Sequence, residues 1–163
     1  MNYSKTIREF EKNYDFKKTK RLKEMAKYYG ENVRKNNKIV YEVYIKKFSP
    51  VQIGLTEVHS GSINNEFYMT SGHIHKNKTP EFYILLEGKG ILLIQKNDKV
   101  KAVPLKKGKI NLIPEGYAHR LINTGDKKLK VLTIYHENSK PYYNIKFNKK
   151  FFRKNGIFEK NNH

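Results

Sequence analysis

The chain has no cysteine, which excludes disulfides and thiolate metal ligands together. It also lacks any apolar run near the roughly 18 residues that a spanning helix needs, so no membrane partner is expected. The opening stretch MNYSKTIREFEKNYDF has no apolar centre of the kind a signal peptide carries, and the expected location is the cytoplasm. Acidic residues are few: 15 Asp and Glu stand against 34 Lys and Arg, a formal net charge of +19. Arginine is scarce as well, confined to Arg8, Arg21, Arg34, Arg120 and Arg153. Base-reading and bidentate phosphate sites favour arginine's planar fork, and no nucleic-acid-binding motif accompanies the lysines. Nucleic acid is therefore not an expected partner despite the charge. The abundance of lysine, asparagine and isoleucine is what AT-rich codons would yield.

What is present fits one domain of 163 residues, long enough for a hydrophobic core. Residues 1–37 are charge-dense and show no strand alternation. Within them KRLKEMAKYYGEN puts Leu22, Met25 and Tyr28 or Tyr29 at helical spacing, with Gly30 as the stop. From Lys38 the texture changes. KIVYEVYIKKF is β-branched and aromatic, and turn signals such as SGSINN, EGKG, KNDK, LKKGK and TGDKK then separate short segments. That rhythm predicts an all-β antiparallel sandwich or barrel over 38–163, with 1–37 as a short, partly helical extension packed on it. The tail adds a candidate hairpin around Asn155-Gly156.

The stretch SGHIHKNKTPEFYILLEGKG, residues 71–90, carries the chemistry. If His73 and His75 lie on a strand, both project to one face and Ile74 to the other. After the turn KNKTP, the residues Glu81, Tyr83 and Leu85 share one face of the next strand. Two imidazoles and a carboxylate on adjacent strands suit iron, manganese or nickel with positions left open. Read alone, the same residues are also ordinary strand-end polarity. A second block, GKINLIPEGYAHRLIN, places Gly108, Pro114, Gly116, His119 and Asn123 at fixed intervals. By typical residue frequencies that pattern arises by chance on the order of once in ten thousand chains. Gly88 and Gly90 are expected to supply positive φ to the hairpin, and Gly108, Pro114 and Gly116 to shape the turns leading to His119.

These two blocks are similar to the paired signature motifs of the cupin superfamily, although Phe67 stands where the first motif usually has glycine. The resemblance implies a jelly-roll β-barrel holding one divalent metal ion through His73, His75, Glu81 and His119. Iron is the first choice, with manganese, nickel or zinc as the others. Further stretches, VYEVY (40–44), GLTEVHSGSINNEFYMTSGHIH (54–75), PEFYILLEGKGILLIQ (80–95) and IPEGYAHRLINTGDKKLKVLTIY (113–135), resemble the archaeal-type glucose-6-phosphate isomerases. That narrower resemblance runs from about residue 20 onward. It implies a phosphosugar substrate, a homodimer, and a place in glycolysis and gluconeogenesis. It also implies interconversion of glucose 6-phosphate and fructose 6-phosphate through a metal-stabilised cis-enediolate, with Glu81 shuttling the proton and Tyr83 over the sugar. Tyr41, Thr56, Thr70, Gly72, Tyr135 and Tyr143 are implied to bind phosphate and substrate. One departure is visible: Pro141 occupies a position where the family usually has histidine, and His136 is out of register to replace it. Other readings left open are a metal cupin acting on another small molecule, such as a sugar epimerase or dioxygenase, and a non-catalytic anion- or sugar-binding cupin.

Overall fold

The computed structural model describes residues 3–154 and 157–162. Helix α1 (Tyr3–Lys12) is followed by strand β1 (Phe16–Arg21), a 3-10 turn (Leu22–Met25) and the one-turn helix α2 (Ala26–Tyr29). The strands that follow are β2 (Ile39–Phe48), β3 (Val51–Val58), β4 (Ser62–Ile63), β5 (Glu66–Phe67), β6 (Ile74–His75), β7 (Glu81–Glu87) and β8 (Gly90–Lys96). They continue as β9 (Lys99–Pro104), β10 (Ile110–Ile113), β11 (Ala118–Asn123), β12 (Leu129–His136), β13 (Pro141–Tyr142), β14 (Lys149–Lys154) and β15 (Ile157–Asn162). No helix among the described residues is long and apolar enough to cross a membrane.

The expected all-β character holds, with helix confined to the N-terminal segment. One sheet runs β1-β2-β3-β12-β7-β10, and a second runs β11-β8-β9. Leu85, Val58 and Val131 of the first and Leu92, Leu93 and Leu121 of the second share one hydrophobic core. Among the described residues the ladders do not run round into a single closed barrel; the architecture is mostly β and cupin-like. The pair β14 and β15 is antiparallel, as a terminal hairpin requires, while its expected turn at Asn155-Gly156 lies outside the described residues.

Two features of the N-terminal segment escaped the sequence reading. β1, FKKTKR, pairs along its length with β2, yet its lysines hide any apolar alternation because it is an edge strand with one open side. Helix α1 lays Ile7 on Tyr44, Leu55, Leu86 and Leu132. Those four residues belong to the outward parity of β2, β3, β7 and β12, so α1 covers part of the outer face of the large sheet. The expected helical turn at Leu22, Met25 and Tyr29 is there, all three buried, and Gly30 ends it at φ 95.

Alternation along the strands decides what goes where. On the inner face of the large sheet stand Tyr41, Val43, Thr56, Val131, Thr133, Tyr135, Glu81 and Tyr83, in ladders that set Val43 against Thr56, Thr56 against Val131, and Tyr83 against Thr133. Toward one end this face is apolar and joins the core; toward the other it is polar and stays open.

The hairpin glycines divide differently from expectation. Gly88 has φ 87, whereas Gly90 is not in the positive-φ region. Gly90 is needed for space: a Cβ there would meet Leu129 Cδ2 at 2.5 Å and the Ile122 carbonyl oxygen at 2.7 Å. Gly88 combines both constraints, since its Cβ would lie 2.4 Å from the Lys128 carbonyl oxygen. Gly116, at φ 73, has nothing within 4 Å of such a Cβ. Gly116→Ala should therefore cost about 1–2 kcal/mol from left-handed backbone alone, and Gly88→Ala about 1–3 kcal/mol more from the backbone clash. Urea unfolding of the two variants measures the difference; equal losses would refute the clash.

Candidate metal centre

His73, His75, Glu81 and His119 come together although three separate stretches of backbone carry them. The segment 69–73 is tied to β11 by bridges Met69–Ile122 and His73–His119. The His73 amide donates to the His119 carbonyl at 3.1 Å, and the His119 amide returns the bond at 2.9 Å. Direct cross-strand opposition brings the two rings to a centroid separation of 4.3 Å. His75 sits two residues on in β6, held against Pro141 of β13, and Ile74 between them packs toward the core. Glu81 opens β7, flanked by Tyr135 of β12 and Ile113 of β10.

The ligand atoms of the four residues all lie within 4.8 Å of one another. Glu81 Oε2 is 2.9 Å from His119 Nε2, 3.4 Å from His75 Nε2 and 4.0 Å from His73 Nε2. His75 Nδ1–H donates to the Thr79 carbonyl at 2.9 Å, and His119 Nδ1–H to the Tyr117 carbonyl at 3.1 Å. Those bonds fix the tautomer, leaving the Nε2 lone pairs aimed inward. Nitrogen lone pairs and a carboxylate oxygen thus converge on one point, where a cation satisfies all of them. The donor set, three imidazoles and one carboxylate, fits a divalent transition metal, and the site is a divalent-metal-binding site.

The surroundings keep the Glu81 and His73 donors in metal-ready states. Burial opposes ionisation of Glu81, but the close contacts of its carboxylate with the His119 and His75 rings outweigh it and hold the carboxyl down at about 2. Burial and then the neighbouring His119 push His73 down to about 3, so its ring is neutral. His75 moves the other way: burial lowers it, while the bonds to Glu81 and Thr79 raise it further.

A cavity of about 330 Å³ opens beside the cluster, in the range of a small-molecule site. Every residue singled out from the sequence for substrate lines it: Tyr41, Thr56, Thr70, Gly72, Tyr83, Tyr135 and Tyr143. Burial raises Tyr41 to about 12 and lifts Tyr83 and Tyr135 too, so all three hydroxyls stay protonated. Thr70 is anchored at both ends, its amide donating to Leu121 O and its hydroxyl accepting from Leu121 N. Tyr41 Oη meets Ser71 Oγ at 3.0 Å, one residue from Gly72. Gly72 adopts φ 71, and a Cβ there would lie 2.5 Å from the Phe147 ring. His136 is exposed and outside the cavity, as its register implied, whereas Pro141 does line it.

Several lining residues were missed. Thr133 and Gln52 are on the inward parity of β12 and β3, two residues from Tyr135 and four from Thr56, so period-two counting could have found them. Lys18 and Phe16 come from the unrecognised β1, and Ser139 from a loop; nothing in the sequence marked these. Arg120, also missed, is buried under the cavity floor. It donates to the Ser71 carbonyl at 2.8 Å and stacks between Tyr28 and Phe147, bracing the segment that carries Thr70 and Gly72.

If the four residues hold the ion, His119→Ala should weaken Mn²⁺ or Ni²⁺ binding by more than the 10–100-fold typical of losing a mere partner of a ligand. Equilibrium dialysis checks this, and near-unchanged affinity would exclude His119. Binding should also fade as pH falls through the raised pKa of His75, because that ring must be neutral to bind.

Comparison with known proteins bears on the same residues. A family model described as glucose-6-phosphate isomerase (GPI) matches residues 5–157. The chain is 34% identical over 128 residues to a glucose-6-phosphate isomerase of Pyrococcus abyssi, covering 71% of this chain and 68% of that one. It is also 34% identical over 131 residues to one of Thermococcus litoralis, covering 73% and 69%. Among solved structures, oxalate decarboxylase from Bacillus subtilis superposes with a TM-score of 0.54 at 21% identity, over 64% of this chain and 28% of that one, a likeness of fold alone. This metal-binding cupin enzyme belongs to the archaeal-type glucose-6-phosphate isomerase family.

Proposed function

We propose that the chain interconverts glucose 6-phosphate and fructose 6-phosphate. The carrying observation is that one cavity is lined both by three of the four metal ligands, His73, His75 and Glu81, and by a set of neutral hydroxyl and amide donors suited to a phosphate. Family membership supports the same reading. In this reading residues 38–163 form a cupin jelly-roll barrel and residues 1–37 an extension packed on it, together one domain.

Thr56, Thr70, Tyr41, Tyr135 and the Gly72 amide would bind the phosphate, with Tyr143 at the cavity mouth. Leu121 N already occupies one lone pair of Thr70 Oγ1, which leaves the Thr70 hydroxyl proton free for the ligand. When bound, a divalent ion such as Fe²⁺ would supply Lewis acidity toward the two vicinal oxygens of the sugar. Glu81 would take the proton from C2 of the aldose and return it to C1, passing through an enediol, while the hydroxyl proton moves from O2 to O1. Because one carboxylate oxygen faces the imidazoles, the other is the one to carry that proton. Tyr83, protonated and two residues along the same face, would donate to a sugar oxygen and hold the chain against the metal end. This interconversion is a step of glycolysis and gluconeogenesis.

A second reading, a metal cupin working on a different small molecule, is favoured by one observation. Pro141 lines the cavity beside His75 where the family usually offers histidine, so one proton-handling group is replaced by an inert ring.

Protein loaded with Fe²⁺, Mn²⁺ or Ni²⁺ should convert fructose 6-phosphate in a coupled assay and lose activity on chelation. Absence of turnover with all three ions would leave the second reading. Thr70→Val should raise KM more than it lowers kcat, since it deletes a ground-state contact; a loss confined to kcat would move Thr70 into the chemical step.

A homodimer is part of the proposal. Ile110, Leu112 and Phe82 are 62%, 51% and 39% exposed on the outer face at the β10 edge of the large sheet, beyond the reach of α1. Pairing two such faces would bury both the apolar patch and the open edge. Light scattering should give a dimer mass, and Leu112→Lys should shift it to monomer; a monomeric wild-type chain would end this part of the reading.

A further inference from the structure

Lys18 is out of place for a solvated surface lysine. It sits in β1 opposite Val43, half-buried, and its side chain lines the cavity on the concave face of the large sheet. Among the described residues lining that cavity it is the one lysine, and no arginine joins it. Its Nζ donates to Tyr143 Oη at 3.0 Å and stands 4.5 Å from that ring's centroid. The Tyr143 ring in turn lies 5.6 Å from the ring of the metal ligand His73. Neighbouring lysines behave differently: Lys17 pairs with Glu42 at 2.7 Å and Lys20 with Glu24 at 3.1 Å. For Lys18 no carboxylate is in ion-pair range among the described residues.

A sugar phosphate brings close to two negative charges into this cavity. The donors already assigned to the phosphate, hydroxyls and one amide, are neutral. Four residues on the inner face stand in one row across the ladders: Lys18, Val43, Thr56 and Val131. Lys18 and Thr56 are therefore two strands apart, roughly 10 Å between Cα atoms. A lysine side chain spans most of that gap and can meet an anion that Thr56 also binds. The position at the mouth, with an aromatic ring as its resting partner, lets the ammonium swing from Tyr143 to the ligand without crossing the core.

We propose that Lys18 is the residue that gives the cavity its preference for an anionic over a neutral sugar, supplying the positive charge that the other phosphate donors lack. This rests on the phosphosugar reading above. Lys18 touches the phosphate end of the ligand and not the reacting carbons, so its signature is in binding.

The test uses the metal-loaded wild-type chain with Lys18→Met, which keeps the aliphatic stem, and Lys18→Arg, which keeps the charge. Calorimetric titration with inorganic phosphate should show binding weakened about 10–100-fold in Lys18→Met, the span of one charge-assisted hydrogen bond, and largely retained in Lys18→Arg. For fructose 6-phosphate, Lys18→Met should raise KM by a similar factor and affect kcat less. Added salt should raise the wild-type KM and leave that of Lys18→Met nearly flat. Equal phosphate affinity in wild type and Lys18→Met, or no phosphate binding by the wild type, overturns the proposal. So does an equal loss in Lys18→Arg, which would mean packing and not charge. A wild type that binds phosphate through Lys18 but turns over no sugar phosphate sustains the proposal and removes the isomerase reading instead.

Discussion

The two reciprocal backbone bonds between His73 and His119 are the constraint on which the site depends. They bring two imidazoles edge to face, 4.3 Å between centroids, before any metal is considered, and they stitch the otherwise irregular segment 69–73 to the second sheet. His75 then follows by strand alternation, and β7 brings Glu81 in from the large sheet. Because the Nδ1 protons of His75 and His119 are committed to carbonyls, the inward Nε2 atoms of those two rings are acceptors, like the Glu81 carboxylate they face. A cluster of acceptors in a buried setting is unfavourable without a positive charge at its centre, which makes the cation part of the local structure as well as of the chemistry.

The large sheet serves two purposes by splitting its faces and then splitting one face along its length. Outward residues Tyr44, Leu55, Leu86 and Leu132 receive α1, which covers part of that side. Inward residues divide between a sealed end, where Val58, Leu85 and Val131 pack against the second sheet, and a wet end built from Thr56, Thr133, Tyr135 and Tyr83. Thr133 keeps a backbone partner there, its hydroxyl donating to the Gly54 carbonyl. Arg120 shows the same economy, with a guanidinium sandwiched between rings and bonded to a carbonyl to brace the cavity floor.

The +19 charge reads differently once the fold is known. Glu42, Glu57 and Glu66 are all buried, and each is held by lysine: Lys17 on Glu42, Lys128 and Lys130 on Glu57, and Lys150 on Glu66. Their carboxylates would be costly to bury alone, so part of the lysine excess is spent inside ion pairs. Lysine counts in the sequence do not separate these from Lys18, which points into the cavity, or from the solvated remainder.

How much was legible follows from where each signal lives. The four ligands were readable because they sit in spaced motifs, HIH with Glu81 and GYAH with its glycines, whereas the cavity tyrosines and threonines were reached only through the family resemblance. The β character was readable because inward and outward residues alternate in β2, β7 and β12. Strand β1 was not, since lysine on an edge strand looks the same as lysine on a loop, and Gly90 was misread because a close approach to Leu129 and Ile122 involves residues far along the chain. The sequence by itself thus determined the metal donors, the strand rhythm and the chemistry available, all of them local in the chain. Tertiary structure alone decided that Lys18 enters the same cavity, that Arg120 supports its floor and that α1 leaves the β10 edge uncovered. Those outcomes depend on register between strands distant in sequence, which no local pattern encodes.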